Sequence, residues 1–301
     1  MLSIEDIRKV AQQSGARDIT KVETDIILTY LLQLIHDKGI TEHVAFKGGT
    51  MLRKMFFGPR GRYSTDLDFT LRSDFTDEQI MEMMLDALNE SYHDIHFKLE
   101  DRDWDFTDNS FFANPVCSHA GNEKGIKIKL QVSLREKLIL SVQLLPQIDQ
   151  EYFKLLPFKP ASIPCLALEE AVSEKVRAGS QRSKIRDLHD LSEISGRQFN
   201  RELLRSLAVI KLWESDKENL DYERFTAQIE NGTDYDLNEL TNLLRKDQRP
   251  DLKDMIRRAK DGFRFLGQMT DLERKIALDK ARRCKDEIAA LKAEAVKRAA
   301  A

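Results

Sequence analysis

The spacing of apolar residues in the first half of the chain predicts helices that alternate with short strands. In "VETDIILTYLLQLIHDKGI" (residues 22–40), apolar side chains recur at spacings of three and four, which predicts a helix that ends near Gly39 and packs on a sheet. The run "HVAFKGG" (residues 43–49) is short, apolar and stopped by glycines, so it predicts a strand. Helical spacing resumes in "TMLRKMFF" (residues 50–57), with Thr50 as its expected N-cap.

Strict alternation follows in "TDLDFTLR" (residues 65–72), where Leu67, Phe69 and Leu71 take every second position. This period of two is typical of a half-buried strand. Further along, the pattern predicts a helix over "DEQIMEMMLDALNESY" and strands over "IHFKLED", "KGIKIKLQVSL" and "LILSV". The first half therefore belongs to the α+β or the α/β class.

A cluster of prolines separates this half from the rest of the chain. Pro157, Pro160 and Pro164 stand close together in "LLPFKPASIPC", and proline interrupts both helices and strand ladders. After this cluster the periodic runs are helical almost throughout, from "LALEEAVSEKVRAG" to the alanine-rich end. We therefore predict a first domain over residues 1–160 and an all-helical second domain over residues 161–301.

Composition sets limits on this picture. The 301 residues are enough for about two domains, and 41% hydrophobic with 33% charged residues fits folded cores under a solvated surface. The formal net charge of −3 excludes a globally basic nucleic-acid coat and leaves only local basic patches for phosphates. The N-terminal "MLSIEDIRKV" has no apolar leader segment, and no window approaches the ~18 apolar residues of a membrane helix. We expect a cytoplasmic protein without membrane contact.

The glycine pair between the first strand and the following helix is a candidate phosphate site. Backbone N–H groups at a helix N-terminus lack partners within the helix and can donate to phosphate oxygens. Gly48 and Gly49 would let a ligand approach closely, and Thr50 adds a hydroxyl. The neighbouring Lys47 and Arg53 make the stretch cationic and are expected to bind the same ligand.

Two aspartates follow on the alternating strand. Asp66 and Asp68 are two residues apart, so both carboxylates project from one face of the strand. Mg²⁺ prefers hard oxygen ligands and often takes one or two carboxylates together with substrate phosphates. The alternative is a tight turn followed by an ordinary surface strand, but the order strand, glycine turn, helix, strand favours a nucleotide site.

The stretch "FKGGTMLRKMF" followed by "RYSTDLDF" resembles the GG-[ST]…D-x-D signature of the polymerase-β-like nucleotidyltransferases, and within them the AbiEii/AbiGii toxin branch. The segments "VETDIILTYLL", "LALEEAVSEKVRA", "RDLHDL" and "FRFLGQMTDLERKIALDK" are similar, in the same order, to other parts of that branch. The resemblance thus spans nearly the whole chain.

The resemblance implies an α+β fold in which a polymerase-β-like nucleotidyltransferase domain with a mixed sheet precedes an all-helical C-terminal domain. It implies a Mg²⁺-dependent enzyme with a nucleoside triphosphate as substrate, whose phosphate turn is residues 48–50 and whose metal ligands are Asp66 and Asp68. One departure is Gln131, which stands where a third acid is often found and cannot chelate as a carboxylate does.

The second half offers a lysine and two aspartates. Lys175 lies in the predicted helix "LEEAVSEKVRA"; from composition alone it would be a solvated lysine paired with Glu170 or Glu174. The run "RSKIRDLHDL" places Asp187 and Asp190 three residues apart on an amphipathic helix and resembles the "RDLYDL" element of the toxin branch. The resemblance gives Lys175, with Asp187 or Asp190, a catalytic role.

The reaction implied is transfer of a nucleoside monophosphate to an RNA, with a tRNA 3′ end as the expected acceptor. Growth arrest in a toxin–antitoxin or abortive-infection system, with a separately encoded antitoxin as partner, would be the outcome. Two alternatives stay open: transfer onto a protein hydroxyl, of an antitoxin or of the protein itself, and a catalytically weak nucleotide-binding regulator, for which Gln131 is the reason.

Overall fold

The computed structural model describes residues 1–72, 75–215, 217–233 and 235–300. Numbered along the chain, its α-helices are α1 (Ile4–Gln13), α2 (Ile19–Asp37), α3 (Gly48–Met51), α4 (Asp77–Ala87), α5 (Leu168–Gln181), α6 (Ile185–Ile194), α7 (Arg201–Glu214), α8 (Tyr222–Glu230), α9 (Leu237–Asn242), α10 (Leu252–Gly262), α11 (Asp271–Leu278) and α12 (Lys285–Ala299). Its strands are β1 (Val44–Lys47), β2 (Asp66–Leu71), β3 (Ser91–Tyr92), β4 (Ile95–Lys98), β5 (Trp104–Thr107), β6 (Ser110–Ala113), β7 (Val116–His119), β8 (Asn122–Lys127), β9 (Lys129–Ser133), β10 (Gln143–Leu145) and β11 (Ile163–Cys165). A π-helix, Leu52–Phe57, continues α3.

Contacts divide the chain into two compact units. The first consists of Met1–Leu138, Val142–Leu166 and Thr241–Arg249, and the second of Ile139–Ser141, Ala167–Leu240 and Pro250–Ala301. The first unit thus reaches past residue 160 and includes a segment from the C-terminal half. The boundary predicted between residues 160 and 161 stays a prediction about where the folding domains divide.

The first unit is built on a mixed sheet of seven described strands in the order β10-β11-β1-β2-β9-β6-β5. At its centre β1 runs antiparallel to β2, and β2 runs parallel to β9. Lys47 is opposite Asp68 across the first pair of strands, and Asp68 is opposite Gln131 across the second. The register therefore brings the end of β1 that precedes the glycines beside the first half of β2. A smaller antiparallel sheet, β3-β4-β7-β8, belongs to the same unit.

Helix α2 is buried on all sides from Val22 to Ile35, although its apolar spacing predicts an amphipathic helix. Its polar side chains therefore need partners within the protein, because an unpaired buried polar group costs free energy. Glu23, for example, accepts hydrogen bonds from His119 Nε2 and from Asn122 Nδ2, both at 2.9 Å. Polar side chains from other elements thus cover the face that the spacing predicts to be solvated.

One carboxylate on α2, that of Asp25, compensates two buried cations. Arg53 binds it with two nitrogens, at 2.9 and 3.2 Å, and Lys54 Nζ lies 3.4 Å away. Tyr152 donates its hydroxyl to the same carboxylate at 3.0 Å. Burial alone would raise the pKa of Asp25, but Arg53 and Lys54 hold it below its ordinary value. Burial also lowers the pKa of Lys54 to about 8, against the opposing effect of Asp25.

The described residues of the second unit form helices and connecting turns. Helix α7 packs against α5, α11 and α12, and α6 packs against α5 and α10. Two buried ion pairs tie these helices together: Lys211 of α7 lies 2.8 Å from Glu170 of α5, and Arg205 of α7 lies 2.7 Å from Glu273 of α11. The predicted α+β class, with a mixed sheet followed by a helical part, is confirmed.

The strand predicted over "LILSV", residues 138–142, is wrong. Ile139 and Leu140 donate their backbone N–H groups to the carboxylate of Glu170, at 3.0 and 2.9 Å. These donors are therefore not available to a strand ladder, and the next strand begins only at Gln143.

Replacing Asp25 by Asn removes the negative charge that both buried cations face. We expect the free energy of unfolding to fall by about 3–5 kcal/mol, as when one partner of a buried ion pair is removed. Urea denaturation followed by circular dichroism measures the change. Asp247→Asn is the matched control, because Asp247 pairs with Arg60 at the surface, at 3.1 Å, and should cost less than about 1 kcal/mol. Equal losses in the two variants would contradict the structure.

Candidate active site

The glycine turn lies where β1 ends and α3 begins. Gly48 has φ +80°, and a Cβ atom on it would come closer than 3.0 Å to Oδ2 of Asp68. A Cβ atom on Gly49 would lie 2.5 Å from Nη2 of Arg62. The sequence suggests that these glycines let a ligand approach; in the structure they admit a carboxylate and a guanidinium of the protein itself. A side chain at either position would push one of these charged groups away from the turn.

Asp66 and Asp68 occupy one face of β2, as their spacing predicts. The carboxylate of Asp66 accepts hydrogen bonds at Oδ1 from the hydroxyl of Ser64, at 3.0 Å, and from the backbone N–H of Thr65, at 3.3 Å. Asp68 turns its carboxylate toward Gly48. Both side chains are half-buried, so the protein orients them while part of their surface stays accessible.

Gln131 lies beside Asp68 on the parallel strand β9, where a third acid would complete a metal site. Within residues 1–72, 75–215, 217–233 and 235–300, no group of three or more His, Cys, Asp or Glu side chains is placed to hold a metal ion. Two carboxylates and an amide oxygen are nevertheless hard oxygen donors, and Mg²⁺ commonly uses one or two carboxylates with substrate phosphates and water. The donor set of Asp66, Asp68 and Gln131 therefore fits a Mg²⁺ ion that shares its coordination with a phosphate group.

Three other residues predicted to bind the nucleotide are engaged with the protein. Lys47 takes the cap position of α3, and its Nζ lies 2.5 Å from Oε2 of Glu136. The prediction of Thr50 as N-cap is wrong, because it lies inside α3 and donates its hydroxyl to the carbonyl of Asp66. Arg53 is only 2% exposed and is bonded to Asp25, so a ligand could reach it only by displacing that carboxylate. The geometry gives Arg53 a place in the core instead of the phosphate site.

A second cation beside the glycine turn, besides Lys47, is Arg62, which the sequence reasoning missed together with Ser64. Arg62 is 4% exposed, and its guanidinium packs against Gly49. A signal for both was present in the sequence. Positions 62 and 64 continue, toward the N-terminus, the two-residue spacing of Asp66 and Asp68. Extending the alternation upstream of the strand would have included them.

In the second unit, Lys175 lies between two aspartates. Its Nζ is 2.9 Å from Oδ1 of Asp187 and 2.9 Å from Oδ2 of Asp190. Asp187 also accepts from Nε of Arg182 at 2.9 Å. Lys175 is only 12% exposed, so the reading of a solvated lysine is wrong, and Glu170 is bound instead by Lys211 and by backbone N–H groups. The structure thus brings together the lysine and both aspartates that the sequence singled out.

The charges of this cluster shift the pKa values of its members. Burial would raise the pKa of Asp187, but Lys175 and Arg182 lower it below the ordinary value. Burial and the charge of Asp187 raise the pKa of Tyr235 to about 12. His189 lies on the same helix, with Nδ1 3.7 Å from Oδ1 of Asp190. Asp187 is therefore ionised at neutral pH, and the lysine is held by carboxylate charge.

Comparison with known proteins shows the family to which the chain belongs. Residues 30–279 match the family described as "Nucleotidyl transferase AbiEii toxin, Type IV TA system". The chain belongs to the AbiEii nucleotidyl transferase toxin family. The AbiEii match includes the glycine turn, both aspartates of β2, and Lys175 with Asp187 and Asp190. A search of the curated proteins found no significant match.

Solved structures show a shared fold. MenT4, a nucleotidyltransferase toxin from Mycobacterium tuberculosis H37Rv, is similar with a TM-score of 0.78 and 23% sequence identity, over 98% of this chain and 100% of that chain. JHP933 from Helicobacter pylori matches with a TM-score of 0.48 and 19% identity, over 83% of this chain and 92% of that one, which is too distant for an argument. The likeness to MenT4 confirms the nucleotidyltransferase fold expected for an AbiEii chain. No helix in the described part of the chain is long and apolar enough to cross a membrane.

A side chain at Gly48 should cost free energy in two ways, through the left-handed backbone conformation and through a clash with Asp68. Gly39 is the matched control, since it has φ +73° with nothing within 4 Å of an added Cβ, and Gly39→Ala should cost only the ~1–2 kcal/mol of the left-handed conformation. Gly48→Ala meets Asp68 as well and should cost about 1–3 kcal/mol more. Unfolding in urea measures both variants. Equal losses would show that Asp68 does not pack against the turn.

Proposed function

We propose that the protein is a toxin-type nucleotidyltransferase that transfers a nucleoside monophosphate from a nucleoside triphosphate to an RNA, with a tRNA 3′ end as acceptor. The observation that carries this proposal is the pair Asp66 and Asp68 on one face of β2, with Asp68 turned toward the glycine turn at the end of β1. Membership of the AbiEii family supports the reaction class and the triphosphate donor.

The reaction is in-line attack of the acceptor hydroxyl on the α-phosphorus, with pyrophosphate as leaving group. Such a transfer needs little covalent chemistry from the protein, which contributes positioning and charge neutralisation. Asp66 and Asp68 would hold a Mg²⁺ ion, with the amide oxygen of Gln131 as a further donor. When bound, this ion would neutralise charge on the triphosphate and on the leaving pyrophosphate.

Other residues of the first unit would orient the carboxylates and bind the phosphates. The hydroxyl of Ser64 holds one oxygen of the Asp66 carboxylate, so its other oxygen is kept for the metal. Backbone N–H groups at the start of α3, with the guanidinium of Arg62 beside them, would donate to phosphate oxygens. In this assignment Arg62 takes the role that the sequence gave to Arg53.

We also propose a catalytic role for Lys175, which lies in the part of the chain that matches the AbiEii family. Its ammonium group is held by Asp187 and Asp190, both at 2.9 Å, so these aspartates act as the groups that orient it. These two ion pairs fix the position of the ammonium group within the second unit.

The acceptor and the regulator complete the proposal. The family description names a type IV toxin–antitoxin system, which supports growth arrest as the outcome and a separately encoded antitoxin as partner. An RNA acceptor supplies a hydroxyl at its 3′ end, which is the nucleophile that the reaction needs. We propose action in the cytoplasm, where tRNA, nucleoside triphosphates and Mg²⁺ are present together.

A transfer assay tests the enzyme. The purified protein is incubated with each of the four α-labelled nucleoside triphosphates and total RNA, and labelled RNA and protein are resolved on gels. We expect label on tRNA, loss of transfer with EDTA and recovery with Mg²⁺. Asp66→Asn and Asp68→Asn should each lower the rate by about 100-fold or more. Loss of a group that only supports a metal ligand already costs up to about 100-fold, and these variants would lose a ligand itself.

The surface variant Glu100→Gln, which removes an exposed ion pair with Lys98, is the control for these substitutions and should keep the wild-type rate. Label on protein instead of RNA would replace the proposed acceptor by a protein hydroxyl. Absence of transfer with all four triphosphates, together with measurable nucleotide binding, would show that the protein is a nucleotide-binding regulator.

Growth arrest is a separate prediction about the cell. Induced expression of the wild type should stop growth, and expression of Asp68→Ala at the same level should not, because that variant lacks one of the two metal-binding carboxylates. Optical density after induction, with immunoblots for protein level, is the measurement. Equal growth in both cultures would refute the toxin proposal and leave the transfer assay to decide the enzyme activity.

A further inference from the structure

Residues 58–64, here called the arginine loop, follow the π-helix and lead to β2, which begins at Asp66. The loop brings Arg62 against Gly49, and it brings the hydroxyl of Ser64 to the carboxylate of Asp66 at 3.0 Å. The position of this loop therefore sets both the cation beside the glycine turn and the orientation of one metal-binding carboxylate.

The backbone of the arginine loop is held by side chains from outside it. The carbonyl of Pro59 accepts from Nε of Arg245 at 2.9 Å, and the carbonyl of Arg60 accepts from Nε2 of Gln248 at 2.9 Å. The next carbonyl, that of Gly61, accepts from Arg53. Three consecutive carbonyls thus accept from side chains outside the loop, and two of these donors come from one segment that is distant in sequence.

That segment is Thr241–Arg249, here called the latch, which is part of the first unit although helices of the second unit precede and follow it in sequence. Its Leu243 accepts at the carbonyl from the backbone N–H of Tyr63, at 2.8 Å. It is anchored near α1, where Lys246 donates its N–H to the carbonyl of Gly15 at 2.8 Å. The side chain of Arg17 donates to the carbonyl of Lys246 at 3.2 Å. The latch is thus fixed at one side and holds the arginine loop at the other.

Arg245 is the centre of the latch. Its Nη2 pairs with the carboxylate of Glu151 while Nε donates to Pro59. Its own backbone N–H donates to Oε1 of Gln248 at 3.1 Å, which leaves the other end of that amide pointing at Arg60. The planar guanidinium makes both bonds in a fixed fork geometry that a lysine cannot reproduce.

We propose that Arg245, oriented by Glu151, is a positioning residue for nucleotide binding: by fixing the arginine loop it keeps Arg62 at the glycine turn and Ser64 on Asp66. This inference rests on the proposed nucleotidyl transfer. Loss of Arg245 leaves the carbonyl of Pro59 and the carboxylate of Glu151 without their donor, and the loop then samples positions in which Arg62 is away from the turn. The nucleoside triphosphate loses a cation, so its binding is the property that weakens.

The experiment compares Arg245→Ala and Arg245→Lys with the matched control Arg60→Ala. Arg60 lies in the same loop and its side chain pairs with Asp247 of the latch, but this ion pair is exposed and contributes little, and the carbonyl of Arg60 survives the substitution. We expect Arg245→Ala to raise the KM for the nucleoside triphosphate about 10-fold with a smaller change in kcat, less than the ~100-fold that misplacement at the reacting atoms costs. Arg245→Lys should recover only part of this loss, and Arg60→Ala should behave as the wild type.

A second readout does not need activity. Native-state hydrogen exchange at the amide of Tyr63, which donates to Leu243, should become faster in Arg245→Ala than in the control, while global unfolding in urea changes little. If Arg245→Ala does not fold, Glu151→Gln and Gln248→Ala test the same bonds with smaller changes and should raise the KM in the same direction.

The possible results distinguish a failure of the proposed function from a failure of the role proposed for Arg245. A wild type without transfer would refute the proposed function, and exchange at Tyr63 would still decide whether Arg245 holds the loop. A wild type that transfers, with an Arg245→Ala variant whose KM and exchange are unchanged, would overturn the inference. Loss of global stability at an unchanged KM would also overturn it, since that is the result for a residue that only stabilises the fold.

Discussion

The buried carboxylate of Asp25 is the constraint on which the first unit depends. Arg53 and Lys54 are adjacent in sequence and both are buried, so two positive charges enter the core within one turn of helix. Asp25 lies close to both and also accepts from Tyr152, a residue that lies just before the proline cluster. A buried charge without a partner costs several kcal/mol, so α2, the π-helix and residue 152 can be buried only together.

This constraint reaches the candidate active site through Arg53. The same guanidinium that binds Asp25 donates to the carbonyl of Gly61 and stacks on the ring of Tyr63 at 4.2 Å. It therefore links the core to the loop that carries Arg62. The π-helix that holds Arg53 is continuous with α3, whose first residue is Gly48. A π-helical segment is often found at functional sites, because its altered rotation turns side chains that a regular helix would point elsewhere.

Which parts of this arrangement the sequence predicts follows from the range of each signal. The faces of β2 are decided by a period of two, a local property, so Asp66 and Asp68 were placed on one face from spacing alone. The glycine turn is likewise a local signal, because adjacent glycines between two periodic segments indicate a turn. The partners of charged residues are decided by tertiary structure: Lys47 pairs with Glu136, 89 positions away, and Arg53 with Asp25, 28 positions away. A sequence shows that these residues are charged and near a turn, but not which way they face. The prediction for Lys175 depended on the resemblance to the toxin branch, because the local sequence offers Glu170 as a partner. In the structure, Glu170 is bound instead by Lys211 and by the backbone N–H groups of residues 139 and 140.

The glutamine beside Asp68 changes the electrostatics of the candidate site more than its number of donors. Asp66 and Asp68 bring two formal negative charges, Arg62 brings one positive charge, and the Lys47–Glu136 ion pair adds none, which leaves a sum of −1; an acid at position 131 would make it −2. A triphosphate is itself strongly anionic, and like charges in a partly buried site repel at an effective dielectric far below that of water. In the proposed reaction, the neutral amide would reduce the repulsion between the carboxylates and the triphosphate, and it would reduce their attraction for a bare divalent cation by the same means. The proposed site would therefore favour a metal that arrives with its nucleotide over one that is resident before it, as expected for Mg²⁺ that shares two carboxylates and a substrate phosphate.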